Sequence, residues 1–169
     1  MTRGAKIAGL AAGLVWATAA AGQDARAAGP PGARDRATVL MSENPAELEF
    51  QEALGYADAV LIDGTLYISG VVASFAGGED TLEAAYERAF ARLGRTLERA
   101  GGSWRDVVDM ISFHTDLTTQ LGPITTVKNR YLTAPFPAWT AIQVSRLVPP
   151  SGVTEIRLVA RIAEGAGAR

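Results

Sequence analysis

The chain has 169 residues, of which 48% are hydrophobic and 20% charged, and its formal net charge at pH 7 is −2. This length and composition predict one globular domain with a substantial core, and leave too little chain for two ordinary domains. The mildly acidic balance, without a block of Lys and Arg, argues against a nucleic-acid-binding surface. The sequence contains no cysteine, which excludes disulfides and thiol chemistry.

The first residues have the pattern of a secretory signal peptide. Arg3 and Lys6 precede an apolar run from Ile7 to Ala21 that ends in small residues. The run falls short of the roughly 20 strongly apolar residues that a membrane span needs, which favours cleavage over an uncleaved anchor. Removing residues 1–21 would leave 14 basic and 18 acidic residues, a net charge of −4. We therefore predict an exported, periplasmic protein without membrane attachment after cleavage.

A flexible linker is predicted for residues 22–44, because this stretch is rich in Ala, Gly, Pro and Arg and has no apolar period. The folded domain is predicted to start near Pro45 and to extend to residue 163. A disordered tail is predicted for residues 164–169.

Residues Phe50 to Val72 predict a β-meander, and a long helix follows. Asp63-Gly64 separates two β-prone runs and predicts a tight turn between strands, because glycine adopts positive φ freely. Asp80 and Glu83 predict the cap of a helix that runs to about Ala100, with apolar residues at spacings of three and four. One face of this helix is expected to lie on a sheet.

The second half predicts three strands and a shorter helix. Residues 106–116 have apolar side chains at both parities, which predicts a central strand buried on both faces. Pro123 suits the first turn of the next helix, and residues 139–147 and 153–162 predict two further strands. The resulting order, β-β-α-β-α-β-β, predicts an α+β fold with a mixed sheet covered on one face by two helices.

Several short motifs follow one another along the chain. They are Tyr67-Ile68-Ser69-Gly70, Arg99-Ala100-Gly101-Gly102, Asp106-Val107-Val108, Ser112–Asp116, Thr126–Asn129, Phe136–Ala141 and Glu155-Ile156 with Ala160. In this order they resemble the Rid superfamily, also called YjgF-like. The resemblance spans Tyr56 to Ile162 and is closest to the YjgH-like branch. It implies a chorismate-mutase-like fold and a homotrimer with ligand pockets between subunits. In RidA-type members these pockets hydrolyse 2-imino or 2-amino-enoic acids without metal or organic cofactor.

The resemblance also implies roles for individual residues. Glu155 matches the glutamate that positions water, although the strand pattern alone favours an ordinary exposed strand residue. Tyr56 and Ser69 match pocket positions, with Ser69 a candidate for proton transfer. The other interpretation of these two is a packing residue and a turn residue.

The chain departs from the deaminating members at one position. Those members carry an arginine directly after the Pro-Ala pair, where a guanidinium binds a carboxylate through two hydrogen bonds, and this chain has Trp139. Lys128 is the candidate replacement cation, or else a solvated helix lysine. Trp139 and Thr140 are the further candidates for substrate binding. His114 is a candidate for proton transfer, or else a hydrogen-bonded structural histidine.

Two hypotheses follow from these residues. The first is an exported hydrolase of a small imine, enamine or related electrophile, in which Glu155 positions water, His114 or Ser69 moves protons, and Lys128 with Trp139 holds the substrate. The second is a binding module on the same scaffold that captures a small metabolite without chemistry. No metal site is expected, because the single histidine has no second His or Cys beside it.

Overall fold

The computed structural model describes residues 31–77 and 81–163. The predicted signal peptide at 1–21, the predicted tail at 164–169 and Asp80 of the predicted helix cap lie outside these residues. None of the helices in the described part of the chain has the length and apolar character needed to cross a membrane.

The described residues form an α+β fold in which six strands make one mixed sheet. The α-helices are α1 (Pro45–Leu54), α2 (Leu82–Arg99) and α3 (Leu117–Tyr131). The strands are β1 (Thr38–Leu40), β2 (Ala59–Ile62), β3 (Thr65–Ser74), β4 (Val107–His114), β5 (Ala138–Gln143) and β6 (Gly152–Arg161). Their order across the sheet is β1-β2-β3-β6-β4-β5. Only the β4–β5 pair is parallel; the other neighbours are antiparallel.

The predicted hairpin is confirmed as the β2–β3 pair, in which Ile62 lies opposite Thr65. Asp63 and Gly64 have φ values of 49° and 69°. Two consecutive positive φ values define the turn whose twist matches that of paired strands, which explains why Asp-Gly stands here.

The core lies between the sheet and α2. The buried face of α2 repeats at helical spacing, as predicted, with Tyr86, Phe90 and Leu93 fully enclosed. These side chains pack on the sheet face that carries Met110, Ile156 and Leu158. The helix begins one residue later than Asp80 predicts, because the Thr81 side chain accepts a hydrogen bond from the Ala84 N–H and serves as the N-cap.

Three predicted boundaries are wrong. The linker 22–44 was predicted too long, because residues 38–40 pair with β2 as an edge strand. The β-meander predicted from Phe50 begins only at β2, because residues 45–54 form the helix α1; Asn44 caps this helix and Pro45 occupies its first turn. Pro123 lies inside α3 rather than in its first turn, since Asp116 caps that helix six residues earlier than expected for a Pro-led start.

The predicted burial of β4 on both faces is also wrong. β4 is central, between β6 and β5, but only one of its faces is enclosed within the chain. Met110, Ser112 and His114 are buried under the helices, whereas Ile111 and Phe113 on the other face are only partly covered. The helices lie on one side of the sheet, and the opposite side, here called the open face, carries apolar side chains that the described residues leave uncovered.

Candidate functional site

Glu155 lies at the floor of a cleft between the end of α1, strand β3 and the β5–β6 loop. The cleft has a volume of about 350 Å³ and is open to solvent on one side. Its lining residues are Phe50, Leu54, Tyr56, Ser69, Gly70, Val72, Val148, Pro149 and Glu155. Three predicted site residues, Glu155, Ser69 and Tyr56, are therefore brought together.

Gly70 makes room for the carboxylate. A Cβ atom at Gly70 would lie 1.9 Å from Glu155 Oε1 and 2.6 Å from its carboxyl carbon. The Glu155 side chain therefore rests directly against the glycine backbone, at an irregularity in the β3–β6 pairing between Ile68 and Val71. Among the described residues the Glu155 carboxylate has no hydrogen-bond or ion-pair partner, so its oxygens are available to a water or a ligand.

Ser69 and Tyr56, unlike Glu155, make contacts within the chain that help to hold the fold together. The Ser69 hydroxyl donates a hydrogen bond of 2.7 Å to the Ala57 carbonyl, which fixes the chain ahead of β2 to β3. Because a hydroxyl has one proton, Ser69 can offer a ligand only its acceptor lone pairs while this bond is made. The ring of Tyr56 packs edge-on against Phe50, with centroids 6.3 Å apart, and forms a wall of the cleft.

A second group of predicted residues lies under the helices. His114 is fully buried, with Nε2 2.9 Å from Ser112 Oγ and Nδ1 3.2 Å from Thr154 Oγ1. The indole N–H of Trp139 donates to the same Ser112 Oγ at 2.9 Å. On the other side, Thr154 Oγ1 contacts the Tyr86 hydroxyl at 2.8 Å and Gln120 Oε1 at 3.2 Å. These residues form one buried polar chain.

The groups at its ends fix the direction of most hydrogen bonds in this chain. Gln120 Oε1 accepts from the Asp116 N–H, so Thr154 must donate to it and must accept from His114. Nδ1 of His114 therefore carries a proton. Ser112 accepts from Trp139, because an indole only donates. When the ring is neutral, Nε2 is an acceptor and Ser112 donates to it, so an uncharged histidine completes the ordered chain.

Burial acts in the same direction. It lowers the pKa of His114 below its usual 6.5, with a smaller opposing contribution from Gln120. The side chain faces the core rather than the cleft, and the contacts are those of a hydrogen-bonded structural histidine. His114 is thus separated from Glu155 by the sheet, since His114 pairs with Thr154 and the adjacent Phe113 pairs with Glu155.

Lys128 and Trp139 contact each other. The Lys128 ammonium lies 4.9 Å from the centre of the Trp139 ring and donates a 2.7 Å hydrogen bond to Asn129 Oδ1. Lys128 is only 8% exposed, and this burial lowers the pKa of its amine. The solvated lysine is therefore not what the structure shows; the side chain is packed, but on the helix side of the sheet and away from the cleft.

Thr140 completes the set of predicted residues. It is exposed on the open face of β5, opposite Ile111, whereas the neighbouring Trp139 points to the helices. Within one chain the predicted residues therefore fall into a cleft group of Tyr56, Ser69 and Glu155 and a separate group of Lys128, Trp139 and His114. In residues 31–77 and 81–163 no cluster of three or more His, Asp or Glu side chains could hold a metal ion.

The comparisons with known proteins identify the family. A family model described as Endoribonuclease L-PSP matches residues 47–162, well over half of the chain. The chain belongs to this family. The Endoribonuclease L-PSP family corresponds to the Rid or YjgF superfamily, so the resemblance drawn from the sequence motifs is confirmed.

Relatives within the family support the YjgH-like branch. The RutC family protein YjgH of Escherichia coli (strain K12) is 39% identical over 113 residues, which are 64% of this chain and 84% of the relative. A solved structure of protein YjgH is 33% identical, with a TM-score of 0.64, and covers 75% of this chain and 97% of its own. RidA from the Antarctic bacterium Psychrobacter sp. PAMC 21119 is 30% identical with a TM-score of 0.57, over 73% and 94% of the two chains.

Sequence reasoning missed the apolar walls of the cleft and most of the buried polar chain. Phe50 and Leu54 belong to the helix α1, whereas the sequence predicted a β-meander from Phe50 onwards. Ser112 and His114 share strand parity, a signal that could have paired them. The contacts of both with other strands and with α3 depend on sheet register, which no local pattern in the sequence contains.

Proposed function

We propose that the chain is an exported Rid-type hydrolase that adds water to a small imine or enamine in the cleft over Gly70, with Glu155 as the general base. The observation that carries this proposal is the free Glu155 carboxylate. It is held against the glycine backbone, has no partner among the described residues and faces an open cleft. Such a carboxylate can hold and deprotonate a water molecule beside the C=N carbon.

We also propose the homotrimer that the family resemblance implies. The predicted site residues are divided between the cleft and the helix side of β5, so one chain alone does not assemble them. An assembly through the open face would place the exposed Thr140 of β5 against a neighbouring chain. The partly covered apolar side chains of the open face, such as Phe113 and Ile142, supply surface for such an assembly.

A binding module on the same scaffold is the second candidate, and Trp139 favours it. At the position where deaminating members carry an arginine, the indole N–H is already donated to Ser112. A neutral group with its donor engaged cannot replace a bidentate guanidinium. Export would be common to both candidates, and so would the lack of a cofactor. RNA cleavage, which the family description names, does not suit a cleft whose one charge is negative.

The deciding experiment follows the hydrolysis of a freshly generated imine by the purified protein against buffer alone. The hydrolase proposal predicts acceleration that Glu155→Gln reduces by about a hundredfold or more, because general-base catalysis contributes that much. Glu49→Gln is the matched control, since it removes the same charge from an exposed position on α1 outside the cleft lining. Saturable binding of small amines without any acceleration would instead favour the binding module.

A further inference from the structure

The walls of the cleft are apolar to an unusual degree for exposed surface. Eleven large hydrophobic side chains among the described residues are exposed, and four of them, Phe50, Leu54, Tyr56 and Val148, meet at this cleft. Val148 is 72% exposed and Phe50 51% exposed. A volume of about 350 Å³ accommodates a substituent the size of an aromatic ring. The walls therefore suit an apolar group on the ligand.

The charge in the cleft has one sign. Glu155 is the only ionisable acid or base among its lining residues apart from the phenol of Tyr56. Arg92 lines an adjoining recess, but its guanidinium binds Glu47 through two hydrogen bonds of 3.0 and 2.9 Å and lies 3.5 Å from Asp58. A ligand carboxylate placed in this cleft would therefore meet Glu155, and none of the described residues that line the cleft carries a positive charge to offset the repulsion.

We infer that the substrate is an imine, present as its iminium ion, that carries an apolar or aromatic substituent and no carboxylate. This inference rests on the proposed function and names its substrate class. The substituent lies against Phe50, Leu54 and Val148, and the positively charged nitrogen is attracted by Glu155. The cleft would then exclude the 2-imino acids that RidA-type members hydrolyse.

The chemistry balances without a further reactant. Water attacks the C=N carbon while Glu155 takes one of its protons, and a carbon–oxygen bond forms. The proton then passes to the nitrogen, the carbon–nitrogen bond breaks to release ammonia as the carbonyl forms, and the hydroxyl proton passes to the ammonia to give ammonium. The sum is R₂C=NH₂⁺ + H₂O → R₂C=O + NH₄⁺, with Glu155 returned to its ionised form.

The test compares two imines that differ only in the carboxylate. Oxidation of phenethylamine supplies the imine of phenylacetaldehyde, and oxidation of phenylalanine supplies the imine of phenylpyruvate. Ammonia release by the purified protein, corrected for buffer, is expected to be at least about tenfold faster with the first imine, the change that one unfavourable charge contact produces. Equal or faster hydrolysis of the phenylpyruvate imine would overturn the inference and leave the hydrolase proposal intact.

A binding measurement tests the proposed ligand class independently of hydrolysis. Phenethylammonium should bind the purified protein, and Glu155→Gln should weaken that binding about tenfold while Glu49→Gln does not. 3-Phenylpropanoate should bind more weakly than phenethylammonium. Binding in this order without hydrolysis of either imine would support the ligand class and overturn the hydrolase. Tighter binding of 3-phenylpropanoate would overturn the ligand class.

A third experiment introduces a positive charge into the cleft by substitution. Val148→Arg places a guanidinium at an exposed position on the wall, and Val148→Met is its matched apolar control. The arginine variant should shift the ratio of the two hydrolysis rates about tenfold towards the phenylpyruvate imine, and the methionine variant should leave the ratio unchanged. An unchanged ratio in both, with activity retained, would show that the substituent does not lie on this wall and would overturn the inference.

Discussion

At the scale of single residues, Gly70 determines where the Glu155 carboxylate can lie. Gly70→Ala should move that side chain, because the added Cβ would lie 1.9 Å from Oε1. Hydrolysis or ligand binding should fall by about a hundredfold, while the free energy of unfolding changes by no more than about 1 kcal/mol. The backbone of Gly70 does not have positive φ, so alanine adds no backbone strain and acts through its contact with Glu155.

Gly122→Ala is the control for this prediction. A Cβ at Gly122, within α3, would meet nothing within 4 Å. The substitution should leave activity unchanged and raise stability by about 0.5–1 kcal/mol, as expected for alanine in a helix. Activity assays and thermal unfolding of both variants check the pair. Full activity in Gly70→Ala would show that the position of Glu155 observed here is not the functional one.

His114 makes stability depend on pH. Its folded pKa is lowered by burial, so the unfolded chain, with a pKa near 6.5, binds the proton more readily. The stabilising contribution of the neutral ring is therefore fully present above about pH 6.5 and is lost as the pH falls towards the folded pKa. The loss should be at most about 1.4 kcal/mol per pH unit for this one proton.

Urea unfolding between pH 5 and 7 checks this prediction. His114→Gln should be less stable at pH 7 but should lose the pH dependence in that interval. Because His114 is the only histidine of the chain, a single ring signal in a proton NMR titration reports it directly. A folded His114 that titrates at or above 6.5 would contradict the ordered chain of hydrogen bonds described above.

The sequence could predict the surroundings of some candidate site residues and not of others, for a physical reason. Glu155 and Ser69 were found because they stand in short motifs whose order the family resemblance supplies. The sequence left open whether Lys128 was a pocket cation or a solvated lysine, and whether His114 moved protons or was a hydrogen-bonded structural residue. Burial of Lys128 beside Trp139 depends on how α3 lies on β5, which is a matter of tertiary packing rather than local pattern.

At the scale of elements, α1 matters because it carries one wall of the cleft and is held by charges rather than by a core. The Arg92 guanidinium on α2 donates hydrogen bonds to both carboxylate oxygens of Glu47 on α1. Arg99 pairs with Asp58 at 3.2 Å and with Glu43 at 3.3 Å. Of the residues of α1 only Gln51 is buried, and its amide donates to Asp58 at 2.7 Å.

Arg92→Met should therefore loosen α1 without unfolding the domain. The Arg92 and Glu47 side chains are 38% and 45% exposed, so solvent screening limits the expected loss to about 1 kcal/mol. Amide hydrogen exchange in α1 should speed up about fivefold, whereas the core strands β4 and β6 should be unaffected. High salt should have the same effect on the unmodified protein.

Arg95→Met is the matched control for that prediction. Arg95 lies on the same helix, is exposed and has no ion pair with the described residues. Its substitution should leave exchange in α1 unchanged. Equal exchange in the two variants would mean that the Arg92 pairs do not hold α1 in place.

The elements that the sequence predicted well are those with strong local signals. The hairpin follows from the Asp-Gly turn, and α2 follows from a long apolar period with a polar cap. α1 was missed because only one of its residues is buried, so it has no strong apolar stripe. β1 was missed because a three-residue edge strand after a Gly- and Pro-rich stretch is stabilised by pairing with β2 and not by its own composition.

At the scale of the whole molecule, the open face of the sheet explains why β4 was predicted to be buried on both sides. Its alternating apolar residues are those of a two-sided core strand, yet the chain supplies helices to one side only. Across this face, Phe113 lies opposite both Glu155 on β6 and Ile142 on β5. The sequence pattern is consistent with a second layer that comes from another copy of the chain.

The proposed trimer makes a definite prediction about this face. Ile142 is 42% exposed there, and Leu121 is 40% exposed on α3, on the helix side of the sheet. Ile142→Asp should dissociate the assembly, because burying a carboxylate among apolar side chains is strongly unfavourable. Leu121→Asp removes a side chain of equal size and exposure and should leave the assembly intact.

Sedimentation velocity of the purified protein and both variants gives the oligomeric state. The unmodified protein and Leu121→Asp are expected to be trimers, and Ile142→Asp is expected to be a monomer. A monomeric unmodified protein would contradict the proposed trimer. Dissociation by Leu121→Asp alone would place the interface on the helix side of the sheet instead.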